Sequence, residues 1–365
     1  MAELFTERDD TLSMDQQRRQ FLDELLETAT PSGFETEGQR LWIEYVEEFA
    51  DEVQVDEYGN AVAVVDGGEP SVALTGHSDE IGFMVRDIED NGAIRMTAIG
   101  GSDQTVSKGQ HVRIHTADGV VPGVVGQTAI HLRDTDKDSI DEIDEQHIDI
   151  GATDEDETAE LVERGDPITF DQTVSELAND RIAARGLDNR IGIWAAAEAL
   201  RRAAEGDLEA TIYAVSTVQE EVGLQGAKMV GFDLAPDAVV AIDVTHATDA
   251  PGTPSARKTG VELGEGPVVV RGSANHPALV TAIREVASDE GIDVQLQASG
   301  NRTGTDADAF YTSRGGIPSL NIGIPNRYMH TPAELLDLTD LDAAADLLAE
   351  FAAVAHEHEF SVDVR

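Results

Sequence analysis

An apolar run that ends in two adjacent carboxylates constrains this chain more than any other stretch. Residues 211–216 (TIYAVS) have the composition of a β-strand buried on both faces, and Glu220 and Glu221 follow closely. Carboxylates near a core are costly unless a partner neutralises them, and a metal ion is one such partner. Because neighbouring side chains on an extended chain point opposite ways, one glutamate can face a metal and the other a substrate. The pair also fits the start of an ordinary surface loop.

The charge of the chain disfavours two classes of partner. There are 72 acidic and 25 basic residues, which gives a net charge of -47. This charge repels nucleic-acid phosphates and anionic lipid headgroups, so we expect no nucleic-acid and no membrane partner. Self-repulsion on this scale is largely screened at molar ionic strength, where the Debye length is about 3 Å. We therefore expect a salt-rich, halophilic cytoplasm; the alternative is an acid-rich protein of an ordinary cell.

Targeting signals and cysteines are absent from the sequence. The chain has no cysteine, which excludes disulfides and thiolate metal sites. Its first ten residues are acidic and have no apolar signal-peptide region. No apolar stretch reaches membrane-spanning length. These observations predict a soluble, cytoplasmic protein.

Alternating helix and strand patterns predict the fold class. Apolar residues recur at helical spacing over 15–30, 35–49, 189–204, 277–289 and 338–356, and strand patterns occur at 71–75, 211–216, 238–242 and 318–324. The alternation predicts an α/β fold, a doubly wound mixed sheet, largely parallel, flanked by helices on both faces. Between 82 and 171 the segments are short and β-rich, which predicts a small inserted all-β module containing an acidic, solvated loop at 134–149. The predicted division is a flexible N-terminal extension at 1–14, an α/β domain from 15–83 and 178–365, and an inserted domain at 84–177.

Residues able to bind a metal follow several of the predicted strands. Ligands of open α/β sheets bind beyond the carboxyl ends of the strands, where Glu220 and Glu221 lie. Four further candidates occupy such positions or the start of a helix: His77, Asp188, Asp243 and His330. Two histidines and three or four carboxylates suit divalent ions such as zinc or cobalt. We expect Asp79 to accept the second ring N–H of His77. Taken singly, each residue also has an ordinary interpretation as a loop histidine, a helix cap or a turn.

With these residues in view, the sequence resembles the glutamyl aminopeptidase/TET family of dinuclear metallo-aminopeptidases, peptidase family M42. The resemblance covers residues 16 to 359. Ten short motifs carry it: Pro31-Ser-Gly-Phe-Glu35, Gly76-His-Ser-Asp-Glu-Ile-Gly82, Val124-Val-Gly126, Asp149-Ile-Gly-Ala152, Gly165-Asp166, Leu187-Asp-Asn-Arg190, Gln219-Glu-Glu-Val-Gly223, Asp243-Val-Thr245, Gly304-Thr-Asp-Ala307 and Arg327-Tyr-Met-His330. It implies a zinc-peptidase-like fold with an inserted β-barrel.

The resemblance also implies roles for individual residues. His77 and Asp243 would hold one divalent ion, Zn²⁺ or Co²⁺, Glu221 and His330 would hold a second, and Asp188 would bridge the two. Glu220 would be the general base and Asp79 would orient His77. Asn189 is a departure, because many relatives have a second aspartate there; we expect it to change the surroundings of the metals without abolishing their binding.

The family implies an activity and an assembly as well. The expected activity is hydrolysis of N-terminal residues from short peptides, and the expected assembly is a homo-oligomer of dimers, often a dodecamer, with 84–177 as the dimerisation domain. Two alternatives remain open. One is a related hydrolase, a carboxypeptidase or N-acyl amidase, and the other is a non-catalytic assembly protein that keeps metals for stability. The preferred first residue of the substrate is not predicted.

Overall fold

The computed structural model describes residues 14–133, 140–362 and 364. The N-terminal extension predicted at 1–14 therefore lies outside the described residues except for Met14. Residues 134–139 of the predicted acidic loop lie outside them as well. Within the described part, none of the helices has the length and apolar character needed to cross a membrane.

The helices of the described chain mostly follow the predicted pattern. They are α1 (Gln16–Glu27), α2 (Thr36–Val46), α3 (Glu155–Ala159), α4 (Leu187–Ala203), α5 (Gln225–Asp233), α6 (Pro277–Glu290), α7 (Ala307–Phe310) and α8 (Leu338–Val354). The short helices α3 and α7 and the helix α5 were not predicted. Asp15 and Asp337 cap α1 and α8 by accepting backbone hydrogen bonds from their first turns.

Strands occupy most of the remaining described chain. They are β1 (Glu52–Val55), β2 (Ala61–Val65), β3 (Ser71–His77), β4 (Gly82–Ile88), β5 (Ile94–Ile99), β6 (His111–Thr116), β7 (Gly119–Val125), β8 (His147–Asp149), β9 (Pro167–Phe170), β10 (Ser175–Glu176), β11 (Arg181–Ala184), β12 (Thr211–Thr217), β13 (Ala238–His246), β14 (Val268–Gly272), β15 (Gln295–Ser299), β16 (Ser319–Arg327) and β17 (Glu334–Asp337). The strand β8 falls in the segment predicted as an acidic loop.

A mixed sheet carries the central part of the fold. Its strand order is β1-β2-β12-β3-β13-β16-β17-β11-β10, with β14 and β15 branching from β16. The central strands β12, β3, β13 and β16 are parallel, whereas β1, β2, β17, β11 and β10 pair antiparallel with their neighbours. The α/β prediction with a mixed sheet is therefore confirmed.

Helices cover both faces of this sheet. On one face a large apolar core joins residues of α1, α2, α4, α6 and α8, and on the other a smaller core joins residues of α5 and α7. The first turns of α4 lie very close to β3, because a Cβ atom added to Gly76 would come within 2.6 Å of the Gly192 backbone. This close approach places the start of α4 beside the carboxyl end of β3.

The inserted module is a closed barrel of six strands in the order β4-β5-β8-β7-β6-β9. It has an apolar core of its own, which includes Phe83, Met96 and Ile168. The barrel strands run from Gly82 to Phe170, and β10 and β11, which follow, pair in the large sheet. The chain thus leaves the sheet after β3 and returns to it shortly before α4.

Candidate metal centre

The sheet topology brings the predicted site residues together. His77 is the last residue of β3 and pairs with Thr217 at the end of the parallel strand β12. Asp243 lies in β13, two strands from β12, and Asp188 lies at the start of α4. His330 follows β16 in a turn with a left-handed φ of 62°. One cavity is lined by the four candidates His77, Asp188, Asp243 and His330, together with Glu220 and Glu221.

The carboxylate of Asp188 lies between the two histidines. Its Oδ1 is 3.3 Å from Nε2 of His77, and its Oδ2 is 3.2 Å from Nε2 of His330. Each of the two oxygens thus faces a different imidazole. This is the arrangement that a carboxylate shared by two metal ions requires.

Glu220 and Glu221 reach different parts of the cavity. Oε2 of Glu220 is 3.9 Å from Nε2 of His77, and Oε1 of Glu221 is 3.4 Å from Nε2 of His330. An extended chain was expected to separate them, but the chain leaves the extended conformation at Gln219, with a left-handed φ of 56°, and a turn begins at Glu220, whose carbonyl accepts a hydrogen bond from the N–H of Gly223 at 2.8 Å. Asp243 completes the side near His77, with Oδ1 3.9 Å from its Nε2.

Two overlapping groups of donor atoms have the spacing of metal ligands. One comprises His77, Glu220 and Asp243, and the other comprises His77, Asp188 and Glu221; within each group the donor atoms lie within 4.8 Å of one another. His77 and His330 each direct Nδ1 at a backbone oxygen, that of Asp79 at 3.0 Å and that of Gly101 at 3.1 Å. A carbonyl oxygen only accepts, so each Nδ1 carries the hydrogen and each Nε2 is left to bind a metal.

The electrostatics of the cavity favour a bound cation. Among the described residues that line it, four are carboxylates and none is a lysine or arginine. Burial, with Asp243 nearby, raises the pKa of Glu220 to about 10, and burial also raises the pKa of Asp243 well above its usual range. Hydrogen bonds to Asp188 and Glu221 raise the pKa of His330 to about 11. The anionic carboxylates therefore need positive charge, and nitrogen and oxygen donors suit divalent ions of the zinc or cobalt kind.

Asp79 acts differently from the expectation for its side chain. The Nδ1 of His77 is closer to the backbone oxygen of Asp79, at 3.0 Å, than to its carboxylate, at 3.4 Å. The carboxylate accepts hydrogen bonds from the backbone N–H groups of Glu220 at 2.9 Å and Glu221 at 3.1 Å, and from Oγ of Ser32 at 2.6 Å. Asp79 therefore holds both the imidazole and the loop that carries the two glutamates.

Two more side chains hold this loop, and sequence reasoning missed both. Asn60 accepts a hydrogen bond from the backbone N–H of Val218 at 3.0 Å, and Glu35 accepts one from that of Gln219 at 3.1 Å. Together with Asp79, these side chains accept hydrogen bonds from four successive backbone N–H groups, those of residues 218 to 221. Both Asn60 and Glu35 are buried. Glu35 ends one of the motifs that carry the family resemblance, but no role for its side chain follows from the sequence.

Glu334 holds the backbones of two predicted ligands and was also missed. Its Oε2 accepts a hydrogen bond from the N–H of Asp188 at 2.9 Å, and its Oε1 accepts one from the N–H of His330 at 2.8 Å. The side chain is almost fully buried. Burial, with Asp188 nearby, raises the pKa of Glu334 to about 8. Glu334 therefore couples the start of α4 to the turn after β16.

The side chain of Asn189, the departure from the family pattern, both donates and accepts a hydrogen bond. Its Nδ2 donates to the carbonyl of Ile242 at 2.8 Å, and its Oδ1 accepts from the N–H of Gly192 at 3.1 Å. An ionised aspartate has no hydrogen to donate to a carbonyl. The amide therefore joins the start of α4 to the strand that carries Asp243, outside the group of predicted ligands.

Glu80, the residue after Asp79, forms a buried ion-pair cluster with Arg185 and Arg190. Its carboxylate contacts Nη1 of Arg185, and it accepts from Arg190 at 2.8 and 3.0 Å. Although burial opposes ionisation, the two guanidinium groups lower the pKa of Glu80 to about 2. His246 also lines the cavity, and burial lowers its pKa.

A model of the M42 glutamyl aminopeptidase family matches residues 59–347. The chain belongs to this family. A lysyl aminopeptidase of Pyrococcus furiosus is 37% identical over 328 residues, which cover 88% of this chain and 93% of that protein. This M42 aminopeptidase is accordingly a hydrolase that acts on N-terminal residues.

Solved structures give the same family. A TET aminopeptidase from the marine sediment archaeon Thaumarchaeota archaeon SCGC AB-539-E09 is 34% identical, with a TM-score of 0.88, over 92% of this chain and 96% of that one. The TET1 peptidase of Pyrococcus horikoshii, which can assemble into a tetrahedron or a large octahedral shell, is 31% identical with a TM-score of 0.82, over 92% and 99%. The predicted family and the predicted barrel insertion in this M42 aminopeptidase are confirmed.

Proposed function

We propose that the chain hydrolyses the first peptide bond of short peptides at a dinuclear centre with Glu220 as general base. The observation that carries this proposal is the position of Asp188, whose two oxygens face two different imidazoles at 3.3 and 3.2 Å. His77 and Asp243 would hold one divalent ion and Glu221 and His330 the other, with Asp188 shared. Zinc and cobalt both suit this nitrogen and oxygen donor set.

The side chains around the centre have separate tasks in this proposal. When bound, two divalent ions supply Lewis acidity that makes water a nucleophile at neutral pH and polarises a carbonyl. Glu220 takes the proton from the attacking water and returns it to the departing amine. Asp79 keeps Glu220 in place through the backbone hydrogen bond of 2.9 Å. The side chain of Glu220 is only 10% exposed, which limits access of bulk water to the base.

The same proposal includes an assembly and a cellular setting. The proposed assembly is a homo-oligomer in which dimers build a dodecamer. The relative from Pyrococcus horikoshii, which can assemble into a tetrahedron, supports it. The barrel, with its own core, is the proposed dimerisation domain. The net charge of -47 supports a salt-rich, halophilic cytoplasm as the setting.

Release of p-nitroaniline from a panel of free and N-acetylated aminoacyl anilides tests this function. The enzyme is assayed in molar KCl after metal removal and after addition of zinc or cobalt. We expect metal-dependent cleavage of free substrates only. Cleavage of acetylated substrates would instead indicate an N-acyl amidase. No cleavage by a folded, metal-loaded enzyme, with short peptides also left intact, would support a non-catalytic assembly protein.

A further inference from the structure

The cavity that contains the candidate centre extends over the neighbouring strands of the sheet. Its volume is about 380 Å³, within the range of small-molecule sites. Beyond the predicted ligands, its wall includes Val270 of β14, Gln297 and Ser299 of β15, and Asn321 of β16. A peptide held with its first carbonyl at the centre has this wall available for its first side chain.

This part of the wall is uncharged. Apart from the four carboxylates of the centre, the lining residues in the described chain include no aspartate, glutamate, lysine or arginine. A charged first side chain against this part of the wall would lose hydration without gaining a paired charge from it. The wall therefore disfavours both acidic and basic first residues.

Two carboxamides in the wall have unused hydrogen-bonding capacity. Gln297 accepts a hydrogen bond from Oγ1 of Thr245 at 2.7 Å, while its Nε2 has no partner among the described residues. Asn321 is only 3% exposed, and its Oδ1 has no hydrogen-bond partner within the described chain. Val270, the cross-strand partner of Gln297, is buried and apolar. Gln297 thus offers a free donor beside an apolar surface, and Asn321 adds an unpaired carboxamide to the same wall.

We propose that this cavity selects peptides whose first side chain is uncharged, and that it prefers a carboxamide such as glutamine over glutamate and lysine. The inference rests on the proposed function and names the substrate class of that site. A glutamine side chain has an apolar stem for Val270 and both a donor and an acceptor for the two carboxamides. A site that hydrogen-bonds a neutral group discriminates against side chains that leave its polar groups unpaired.

The first test uses tripeptides X-Ala-Ala that differ only in X, namely Gln, Glu, Met or Lys. We expect kcat/KM for Gln to exceed that for Glu and for Lys by about tenfold or more in molar KCl with metal restored. If Glu or Lys peptides are cleaved as well as the Gln peptide, the inference is wrong while the aminopeptidase function stands. If none of the four is cleaved, the proposed function fails and the inference fails with it.

The second test changes the charge of the wall. Gln297→Glu should raise the ratio of kcat/KM for Lys over Gln by about tenfold, because a carboxylate in a partly buried cavity is little screened by salt. Gln127→Glu adds the same charge on an exposed residue of the barrel and should leave the ratio unchanged. Gln297→Met, which lacks the amide, should reduce the preference for Gln over Met. Unchanged ratios in both folded, metal-loaded Gln297 variants would overturn the assignment.

Discussion

The carboxylate of Glu35 accepts a hydrogen bond from the backbone N–H of Gln219 at 3.1 Å, across 184 positions of sequence. We predict that Glu35→Ala lowers kcat by about tenfold to a hundredfold with little change in KM, because a small displacement of Glu220 misplaces the base. Steady-state kinetics of the metal-loaded enzyme measure kcat and KM separately. Glu37→Ala, on an exposed face of α2, is the control. An unaltered kcat in a folded Glu35 variant would show that the loop keeps its position without this bond.

The two adjacent glutamates should respond differently to substitution. Glu220→Gln should retain both metals and lose about 10²–10⁴-fold in kcat, since it removes the proton acceptor. Glu221→Ala should instead lower the metal content found by elemental analysis after dialysis, because it removes a ligand. Wild-type activity in Glu220→Gln would exclude that residue as the general base.

Glu334 should affect metal binding although it is not a proposed ligand. Glu334→Ala leaves the N–H groups of Asp188 and His330 without their acceptor, and we expect about 10–100-fold weaker metal binding. Glu334→Gln keeps one acceptor oxygen and should cause a smaller loss. Competition with a chelator of known affinity measures both variants. Equal affinity in all three proteins would contradict a positioning role.

Glu80 should stabilise the fold in a pH-dependent way. Its pKa falls from 4.5 to about 2 in the folded protein, which corresponds to about 3 kcal/mol of stability. Because the folded-state pKa is the lower one, this stability is complete above about pH 4.5 and is lost as the pH falls toward 2. Glu80→Gln should therefore be less stable by that amount at pH 7, and the gap to wild type should narrow below pH 4.5.

Tryptophan fluorescence during urea unfolding can measure this difference in unfolding free energy between Glu80→Gln and wild type, because Trp42 and Trp194 both lie in the core of the large sheet. Measurements at several pH values between 3 and 7 define its dependence on pH. Glu37→Gln, at an exposed carboxylate, should show no such dependence. A gap that stays constant over this range would mean that Glu80 does not stabilise the fold through its charge.

Salt should stabilise the protein through screening of its own charge. With a net charge of -47, transfer from low salt to molar KCl should raise Tm by about 5 °C or more. Sucrose at equal osmolality is the control, because it acts by exclusion from the surface and leaves the charges unscreened. Equal effects of KCl and sucrose on Tm would contradict this origin.

One local signal in the sequence predicted both the central strands and several of the candidate site residues. Apolar runs that end in His77, Asp243 and the glutamate pair identify both a buried strand and the chemistry at its carboxyl end, and parallel pairing then gathers those ends. The weaker elements gave no such signal. The helix α5 contains two glycines and follows Leu224 in a left-handed conformation, and β10 has only two residues.

The supporting side chains could not be predicted from local patterns. Asn60 and Glu35 lie far in sequence from the backbone groups that they hold, and Glu334 lies 146 positions from Asp188, so their roles depend on the assembled fold. For Asp79 the sequence and the resemblance both predict a contact with His77, and its carboxylate lies 3.4 Å from Nδ1 of that histidine. Its second task could not be predicted, because the carboxylate also accepts hydrogen bonds from the backbone N–H groups of Glu220 and Glu221, which only the folded loop brings to it.

The contact between His330 and Gly101 joins the sheet to the barrel side of the chain, since Gly101 lies in the segment between β5 and β6. The imidazole of one unit is thus oriented by a carbonyl of the other. In the proposed centre, with His330 as a ligand, metal affinity and the placement of the barrel would be thermodynamically linked. A displacement of residues 100–101 would change the free energy of metal binding, and metal binding would resist that displacement by the same amount.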